Sequence, residues 1–356
     1  MSSLPTVGLD YGKNRTGGGR TRAARLPQAK KLSMLDLVAT PRNPIPPGGR
    51  VYALDAADNV SLRMARFSPP GAPRATVALF QGRAEFIEKY FETVDDLLAR
   101  GFEVVTLDWR GQGGSERELA NPRKGHVDDF AQYQRDLSVF LAEMTRLACP
   151  KPWFALAHSM GGAILLEYAH GGGGHFARLV VTAPMIDIQG LRFPRGARLL
   201  ANALDMLGLG AMFIPGGHEA SLVELKFDGN ILTSDPARLA RNAAVLAQAP
   251  RLGIGDPTIG WTNAAFRQMR RFTESDYANH WTVPTLLIAS GRDTLVSTAA
   301  VERFAQRLDI ATLVTIPGAR HEIMMERDEL RELFFAAFDA FIPGSAEKAD
   351  VFRAAE

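Results

Sequence analysis

Cysteine is almost absent from the sequence: Cys149 is the only one among 356 residues. A single cysteine excludes an internal disulfide and a thiolate metal site. The fold must therefore be held together by its core, and 46% of the residues are apolar, which is enough for a large core at this length. Such a chain can fold in a reducing compartment.

Long apolar runs are absent too. A helix that crosses a membrane needs about 20 consecutive apolar residues, and no stretch of the sequence approaches this length. The N-terminus is basic, but it lacks the apolar core of a signal peptide. We therefore expect a soluble, cytoplasmic protein.

A strong excess of one charge is the third missing feature, since the formal net charge is +2. Seven of the 41 Lys and Arg residues, but only one of the 39 Asp and Glu residues, lie in the first 33 positions. Residues 1–33 predict a disordered basic arm; the alternative is that Met34 is the true start. The rest of the chain is mildly acidic, which excludes the basic face typical of nucleic-acid-binding proteins.

Short apolar runs, typical of buried strands, alternate with helical patterns along most of the chain. Residues 51–54 and 61–67 predict an antiparallel hairpin at a sheet edge. Further strands are predicted at 76–80, 103–107, 153–157, 178–184, 284–290 and 312–316. Strands separated by helices join through right-handed crossovers into a parallel sheet. The pattern predicts an α/β fold with a mostly parallel, eight-stranded sheet and helices on both faces.

The alternation stops between residues 185 and 280, where helical stretches such as 196–209 and 237–246 occur without a clear strand. We predict a helical cap here, inserted after the sixth strand. The α/β core is then formed by residues 34–184 and 281–342, and residues 343–356 form a flexible tail.

The predicted cap contains an apolar stretch at residues 199–214. Leu204, Met206 and Met212 are candidates for lining an acyl pocket, because methionine adapts to irregular contacts. The alternative is that this helix only packs on the sheet. Arg192 and Arg195 are candidates for binding a phosphate, and the cap or the basic arm is a candidate for peripheral membrane contact.

Ser159 lies between a predicted buried strand, 153–157, and a predicted helix, 163–168. A sharp strand-to-helix turn leaves space only for small residues two positions before and after the serine, and Ala157 and Gly161 meet this requirement. The pattern is typical of a nucleophile elbow, G-x-S-x-G, with Ala157 in place of the first glycine. The alternative is that Ser159 only caps the helix.

Two more loops at the carboxyl ends of predicted strands carry suitable side chains, Asp293 and His321. Ligands of such sheets bind at this edge. A serine hydroxyl becomes a nucleophile when an imidazole accepts its proton and a carboxylate orients that imidazole. We predict Ser159 as nucleophile, His321 as base and Asp293 as acid, with Asp187 as the alternative acid. This chemistry needs neither a metal nor a cofactor.

The oxyanion of the tetrahedral intermediate needs backbone N–H donors. We predict those of Met160, which follows the nucleophile, and Arg83, which follows the strand 76–80. Gly82 is expected to adopt the backbone angles that turn the next N–H inward, and to line the substrate site. The alternative is an ordinary strand-to-helix loop.

Four stretches together resemble the bacterial lysophospholipase and monoacylglycerol lipase branch of the α/β-hydrolase superfamily. They are residues 80–90 (FQGRAEFIEKY), 108–115 (DWRGQGGS), 157–162 (AHSMGG) and 318–322 (GARHE). The resemblance implies a serine carboxylester hydrolase that cleaves acyl esters of glycerol-type lipids, a cap that shapes an acyl pocket, and the same triad and oxyanion donors. Gln81 departs from the histidine that monoacylglycerol lipases usually have.

Two other functions are compatible with the same fold. An aminopeptidase would need acidic residues to hold a free amine, and Glu219 and Glu224 are candidates in the predicted cap. A non-catalytic binding protein is the second alternative.

Overall fold

The computed structural model describes residues 36–221, 224, 227–279 and 281–345. The predicted basic arm at residues 1–33, residue 280 at the predicted end of the cap, and residues 346–356 of the predicted tail lie outside the described residues.

Eight strands of the described chain form one sheet. They are β1 Arg50–Asp55, β2 Ser61–Phe67, β3 Ala75–Phe80, β4 Phe102–Leu107, β5 Trp153–His158, β6 Arg178–Thr182, β7 Thr285–Ser290 and β8 Ala311–Ile316. Their order is β1-β2-β4-β3-β5-β6-β7-β8. β1 and β2 pair in antiparallel fashion, and β2 is antiparallel to β4, whereas β4, β3 and β5 to β8 run parallel. The predicted edge hairpin and mostly parallel sheet are confirmed.

Helices lie along the chain between these strands and after the last one. They are α1 Phe91–Ala99, α2 Ala131–Arg146, α3 Ser159–His170, α4 Pro194–Leu204, α5 Pro236–Gln248, α6 Ile259–Arg271, α7 Thr298–Ala305 and α8 Asp328–Phe341. Among the described residues, no helix combines the length and the apolar character that a bilayer span requires.

Apolar clusters cover both faces of the sheet, and β5 contributes to each. Ala155 and Ala157 belong to the cluster that includes residues of α2 and α3. Phe154 and Leu156 point to the opposite face, where they join residues of α1 and α8. Because alternate side chains of a strand face opposite sides, β5 is held on both faces. Ser159, which follows it directly, therefore starts from a rigid position.

The chain between β6 and β7 contains α4, α5 and α6, and its described residues contribute no strand to the sheet. α5 and α6 begin at polar caps: the Asp235 carboxylate accepts N–H bonds from Ala237 and Arg238, and the Thr258 hydroxyl accepts that of Trp261. Such caps satisfy helix N–H groups that have no acceptor within the helix. The assignment of this segment as a separate cap stays a prediction.

Candidate active site

The turn from β5 to α3 is unusually tight. Ser159 has a φ of 49°, in the left-handed region that costs energy for residues other than glycine. A Cβ atom on Gly161 would lie 2.5 Å from the carbonyl oxygen of Gln81 and 2.8 Å from that of Phe80. Only glycine fits where α3 passes over β3, and the close crossing leaves the Ser159 side chain at the carboxyl edge of the sheet.

Ser159, His321 and Asp293 form a hydrogen-bonded chain at this edge. Nε2 of His321 lies 3.0 Å from Oγ of Ser159, and Nδ1 of His321 lies 2.7 Å from Oδ2 of Asp293. The other Asp293 oxygen accepts the N–H groups of Leu295 and Val296 at 2.8 and 2.9 Å. All three side chains are buried. The carboxylate is thus fixed by the backbone and holds the imidazole toward the serine.

Asp187, the alternative acid, lies elsewhere. Its side chain is 40% exposed and pairs with Arg198 at 3.1 Å. The structure therefore brings Asp293, and not Asp187, to the imidazole.

The His321–Asp293 pair sets the charge of both groups. Burial acts to lower the pKa of His321, but the hydrogen bond to Asp293 and the negative charge of that group raise it above its ordinary value. Burial likewise acts to raise the pKa of Asp293, but the contact with His321 and the backbone N–H bonds lower it. Asp293 is therefore a carboxylate at neutral pH, as an orienting acid must be.

Activity is expected to fall as the pH drops through the pKa of His321, because only the neutral imidazole can accept a proton from Ser159. Since Asp293 raises this pKa, the acidic limb of kcat/KM should be centred above pH 6.5, the ordinary value. The measurement is kcat/KM for a soluble, non-ionising ester over a pH series, with protein stability followed at each pH. A limb centred below pH 6.5 in a folded protein contradicts this assignment.

His158 is a second histidine close to the site. Its ring centroid lies 4.8 Å from that of His321, and its Nδ1 lies 3.1 Å from the Thr182 hydroxyl. Burial lowers the pKa of His158 to about 3, so the ring stays neutral. It does not hydrogen-bond to Ser159, and it leaves the role of base to His321.

The loop after β3 leaves the N–H of Arg83 available. The N–H of Gly82 donates to the Glu85 carboxylate, and that of Ala84 donates to Oε1 of Gln112 at 3.1 Å. Among the described residues, no group accepts a hydrogen bond from the Arg83 N–H. Met160 is the second residue of α3, so its N–H has no acceptor within the helix.

Gly82 serves a different purpose from the one expected. Its φ is not positive; the left-handed residue of the loop is Ala84, with a φ of 63°. A Cβ atom at position 82 would lie 3.0 Å from Oε2 of Glu85 and 3.1 Å from Cδ2 of His158. Glycine is needed here for space beside the Glu85 carboxylate rather than for backbone freedom.

A buried ion network connects this loop to the histidine loop. Nζ of Lys89 lies 2.7 Å from Oε1 of Glu85 and 2.6 Å from Oε1 of Glu322, the residue after His321. Lys89 is fully buried. Burial acts to lower its pKa, but the two carboxylates raise it, so the ammonium stays charged. One cation thus joins the two loops that flank Ser159.

Sequence reasoning missed this network. Glu85 and Lys89 have the i, i+4 spacing of a helical ion pair, and that spacing was the available signal. Glu322 lies more than 200 positions after Lys89 in the chain, and no local sequence pattern indicates that the two residues pair.

A cavity of about 260 Å³ opens onto Ser159 and His321. Gly82 and Arg83, from the loop after β3, are among the residues that line it. Apolar side chains form much of the remaining wall. They come from the β6–α4 connection, the segment before α5, the segment before α6 and the β7–α7 connection: Met185, Ile188, Leu232, Ile254, Pro257, Leu295 and Val296.

Leu204, Met206 and Met212 do not line this cavity. Met206 is 81% exposed and Met212 is 53% exposed, while Leu204 is partly buried. α4 ends at Leu204, and the helical segment Asp205–Leu209 that follows it is kinked at Gly208, where φ is 81°. The structure therefore does not support their assignment to an acyl pocket, because this apolar stretch turns its methionines to the surface. Within the described residues, no cluster of acidic, His or Cys side chains could hold a metal ion.

Comparisons with known proteins agree with this geometry. Residues 71–328 match the family model described as serine aminopeptidase, S33. Lysophospholipase L2 of Escherichia coli (strain K12) is 32% identical over 298 residues, which cover 80% of this chain and 84% of the relative. Monoglyceride lipase of Homo sapiens is 27% identical over 292 residues, covering 80% and 88%.

A solved structure shows the same fold. A soluble variant of monoglyceride lipase from Saccharomyces cerevisiae, in complex with a substrate analogue, superposes with a TM-score of 0.68 and 20% identity, over 87% of this chain and 99% of that chain. At this identity the match concerns the fold alone, while the family model spans most of the chain. The protein therefore belongs to the serine aminopeptidase S33 family, within the α/β-hydrolase superfamily.

Proposed function

We propose that this protein is a serine carboxylester hydrolase that cleaves acyl esters of glycerol-type lipids through an acyl-enzyme. The observation that carries the proposal is the chain of short hydrogen bonds from Ser159 through His321 to Asp293 at the cavity. The similarity to lysophospholipase L2 and to monoglyceride lipases supports lipid esters as the substrate class.

In the proposed reaction, Oγ of Ser159 attacks the acyl carbon while its proton passes to Nε2 of His321. Asp293 stabilises the imidazolium that forms. The N–H groups of Arg83 and Met160 bind the oxyanion, since neither has another acceptor in the described part of the chain. His321 then protonates the leaving alcohol, and water repeats the sequence on the acyl-enzyme to release a fatty acid.

The wall of the cavity fits this substrate class. Leu232, Ile254 and Pro257, which come from the segment between β6 and β7, line the cavity together with Ser159 and His321. Apolar walls with a few polar groups near the reacting atoms are typical of small-molecule sites. We infer that this segment is the cap of the active site and that it supplies the surface on which the acyl chain lies.

The aminopeptidase alternative finds less support. Glu219 accepts a hydrogen bond from Asn121, and Glu224 pairs with Arg123 at 3.2 Å. Both glutamates are exposed and neither lines the cavity. A free amine in the cavity would therefore not meet the two glutamates that the sequence offered for this function.

Hydrolysis of lipid esters without hydrolysis of an aminoacyl amide is the expected result for the purified protein. The substrates are nitrophenyl esters of short and long chain, a monoacylglycerol, a lysophospholipid and an aminoacyl nitroanilide. Release of nitroaniline without ester hydrolysis supports the aminopeptidase instead. Inactivity on all substrates supports a binding protein.

We also infer that α4 and the turn after it contact a membrane surface. The side chains of Phe193, Leu199 and Leu200 are 69%, 72% and 52% exposed, and those of Met206 and Leu207 are 81% and 74% exposed. Arg192 and Arg195 are exposed beside them. Apolar side chains bordered by arginines suit the headgroup boundary of an anionic bilayer, which is where a lipid substrate is found.

Replacing Met206 and Leu207 together by serine should weaken binding to anionic phospholipid vesicles by about tenfold or more, because two large apolar side chains no longer enter the bilayer. Vesicle co-sedimentation measures the effect. Leu333→Ser is the matched control, since Leu333 is 49% exposed but lies on α8. Equal vesicle binding by the double variant and the original protein contradicts the inferred contact.

A further inference from the structure

Arg83 is a half-buried cation that has no carboxylate partner among the described residues. Its Nη2 donates to the carbonyl oxygen of Gly255 at 3.0 Å, and its guanidinium lies over the ring of Trp261, 4.9 Å from the centroid. Its Nε atom is buried without a hydrogen-bond partner. Arg83 forms no ion pair with any residue in the part of the chain that the structure describes, yet it lines the cavity that contains Ser159.

The fully buried Lys and Arg side chains of the described chain are paired with carboxylates, whereas a half-buried arginine away from the cavity, Arg117, donates to backbone carbonyls. Arg63 contacts Glu88 and Asp108 at 2.7 and 2.6 Å, and Lys89, in the wall of the same cavity, lies between two glutamates. A buried charge is costly unless it is paired and hydrogen-bonded. Arg83 differs from Arg117 because it lines the cavity that contains Ser159, where an anionic group of the substrate can become its partner.

The charge of Arg83 persists at neutral pH. Burial lowers its pKa to about 10, with a small opposing effect from Tyr133 and Asp256. Asp256 also lines the cavity, but its carboxylate accepts the N–H of His218 at 2.9 Å and lies 3.3 Å from the ring of that histidine. The guanidinium of Arg83 therefore keeps N–H donors that can bind a planar or tetrahedral anion.

We propose that the Arg83 side chain binds the phosphate of the leaving group and makes the enzyme selective for lysophospholipids over uncharged monoacylglycerols. This inference rests on the proposed ester hydrolysis. The backbone N–H of the same residue has no acceptor among the described residues and is assigned to the oxyanion, so its side chain begins beside the scissile ester in the same cavity. Arg192 and Arg195, the candidates from the sequence, do not line the cavity.

The test compares a short-chain lysophosphatidylglycerol with the monoacylglycerol of the same acyl chain, both kept monomeric. The measured quantity is the ratio of their kcat/KM values. Arg83→Gln should lower this ratio by about tenfold or more, mainly through KM of the phosphorylated substrate, because one charge-assisted contact is lost. Arg83→Lys should give an intermediate ratio, since lysine keeps the charge but lacks the planar set of guanidinium N–H donors.

Arg270→Gln is the matched control: it removes one arginine charge from an exposed position on α6 and should leave the ratio unchanged. A second measurement needs no variant. Glycerol 3-phosphate, but not glycerol, should inhibit hydrolysis of a neutral short-chain ester competitively.

Three results overturn the proposal: an unchanged ratio in Arg83→Gln, equal losses for both substrates, or equal inhibition by glycerol and its phosphate. Equal losses assign Arg83 to holding Gly255 and Trp261 only. If the original protein hydrolyses neither substrate, the proposed function itself fails, and this outcome is distinct from the other three.

Discussion

Ser159→Ala is expected to lower kcat for lipid ester hydrolysis by a factor of about 10⁴ to 10⁶, because no other group can form the acyl-enzyme. The remaining activity would come from the oxyanion donors and from binding. The variant should fold normally, since alanine keeps the Cβ atom of the tight turn. Hydrolysis of a nitrophenyl ester and labelling by a fluorophosphonate both report the loss, with the label on Ser159 in the original protein.

Ser221→Ala provides the control within the same cavity. Ser221 lines the cavity, and its hydroxyl has no hydrogen-bond partner among the described residues. This variant should retain most of the activity and all of the label. Full activity in Ser159→Ala, or labelling at another serine, would remove the basis of the proposed mechanism.

The second large effect is expected for Asp293→Asn, which should lower kcat by a factor of about 10³ to 10⁴. An amide can present its N–H₂ group to Nδ1 of His321, and the imidazole then carries its proton on Nε2, facing Ser159, where it cannot act as a base. The imidazolium also loses the negative charge that stabilises it. Activity and thermal stability should be measured together, because the carboxylate also accepts two backbone N–H bonds.

Asp187→Asn is the matched control, because it makes the same chemical change in an aspartate that pairs with Arg198 at a half-exposed position. It should stay within a few-fold of the original activity, as surface ion pairs contribute little. The reverse outcome, a crippled Asp187→Asn and an active Asp293→Asn, would assign the acid to the loop after β6.

The sheet was predictable from the sequence because its strands are short, apolar runs bounded by polar or glycine-containing turns. β5, for example, is fully buried along its length, and a strand buried on both faces has no polar alternation to obscure it. α6 was not singled out, since Gly260, Thr262 and Asn263 are weak helix formers. Its cap at Thr258 and the burial of Trp261 and Phe266 offset these preferences.

At the active site, the sequence indicated positions that follow strands, but not side-chain directions. Ser159, Asp293 and His321 could be proposed from such positions because strand ends meet at one edge of a parallel sheet. The exposure of Met206 could not be predicted, because an apolar helix has the same sequence pattern whether it contacts protein, lipid or solvent. That Nε of Arg83 has no hydrogen-bond partner in the described chain could not be predicted either. It depends on which carboxylates the tertiary structure places near the guanidinium.

The shared ammonium of Lys89 has a consequence for how this site can change. The oxyanion loop and the histidine loop are far apart in the chain, yet each supplies one glutamate to the same cation. Neutralising either glutamate removes the ion pair that ties its loop to the ammonium, so the two loops cannot drift independently during evolution. Anyone grafting this oxyanion loop onto another scaffold would have to transfer Glu85, Lys89 and Glu322 as a set.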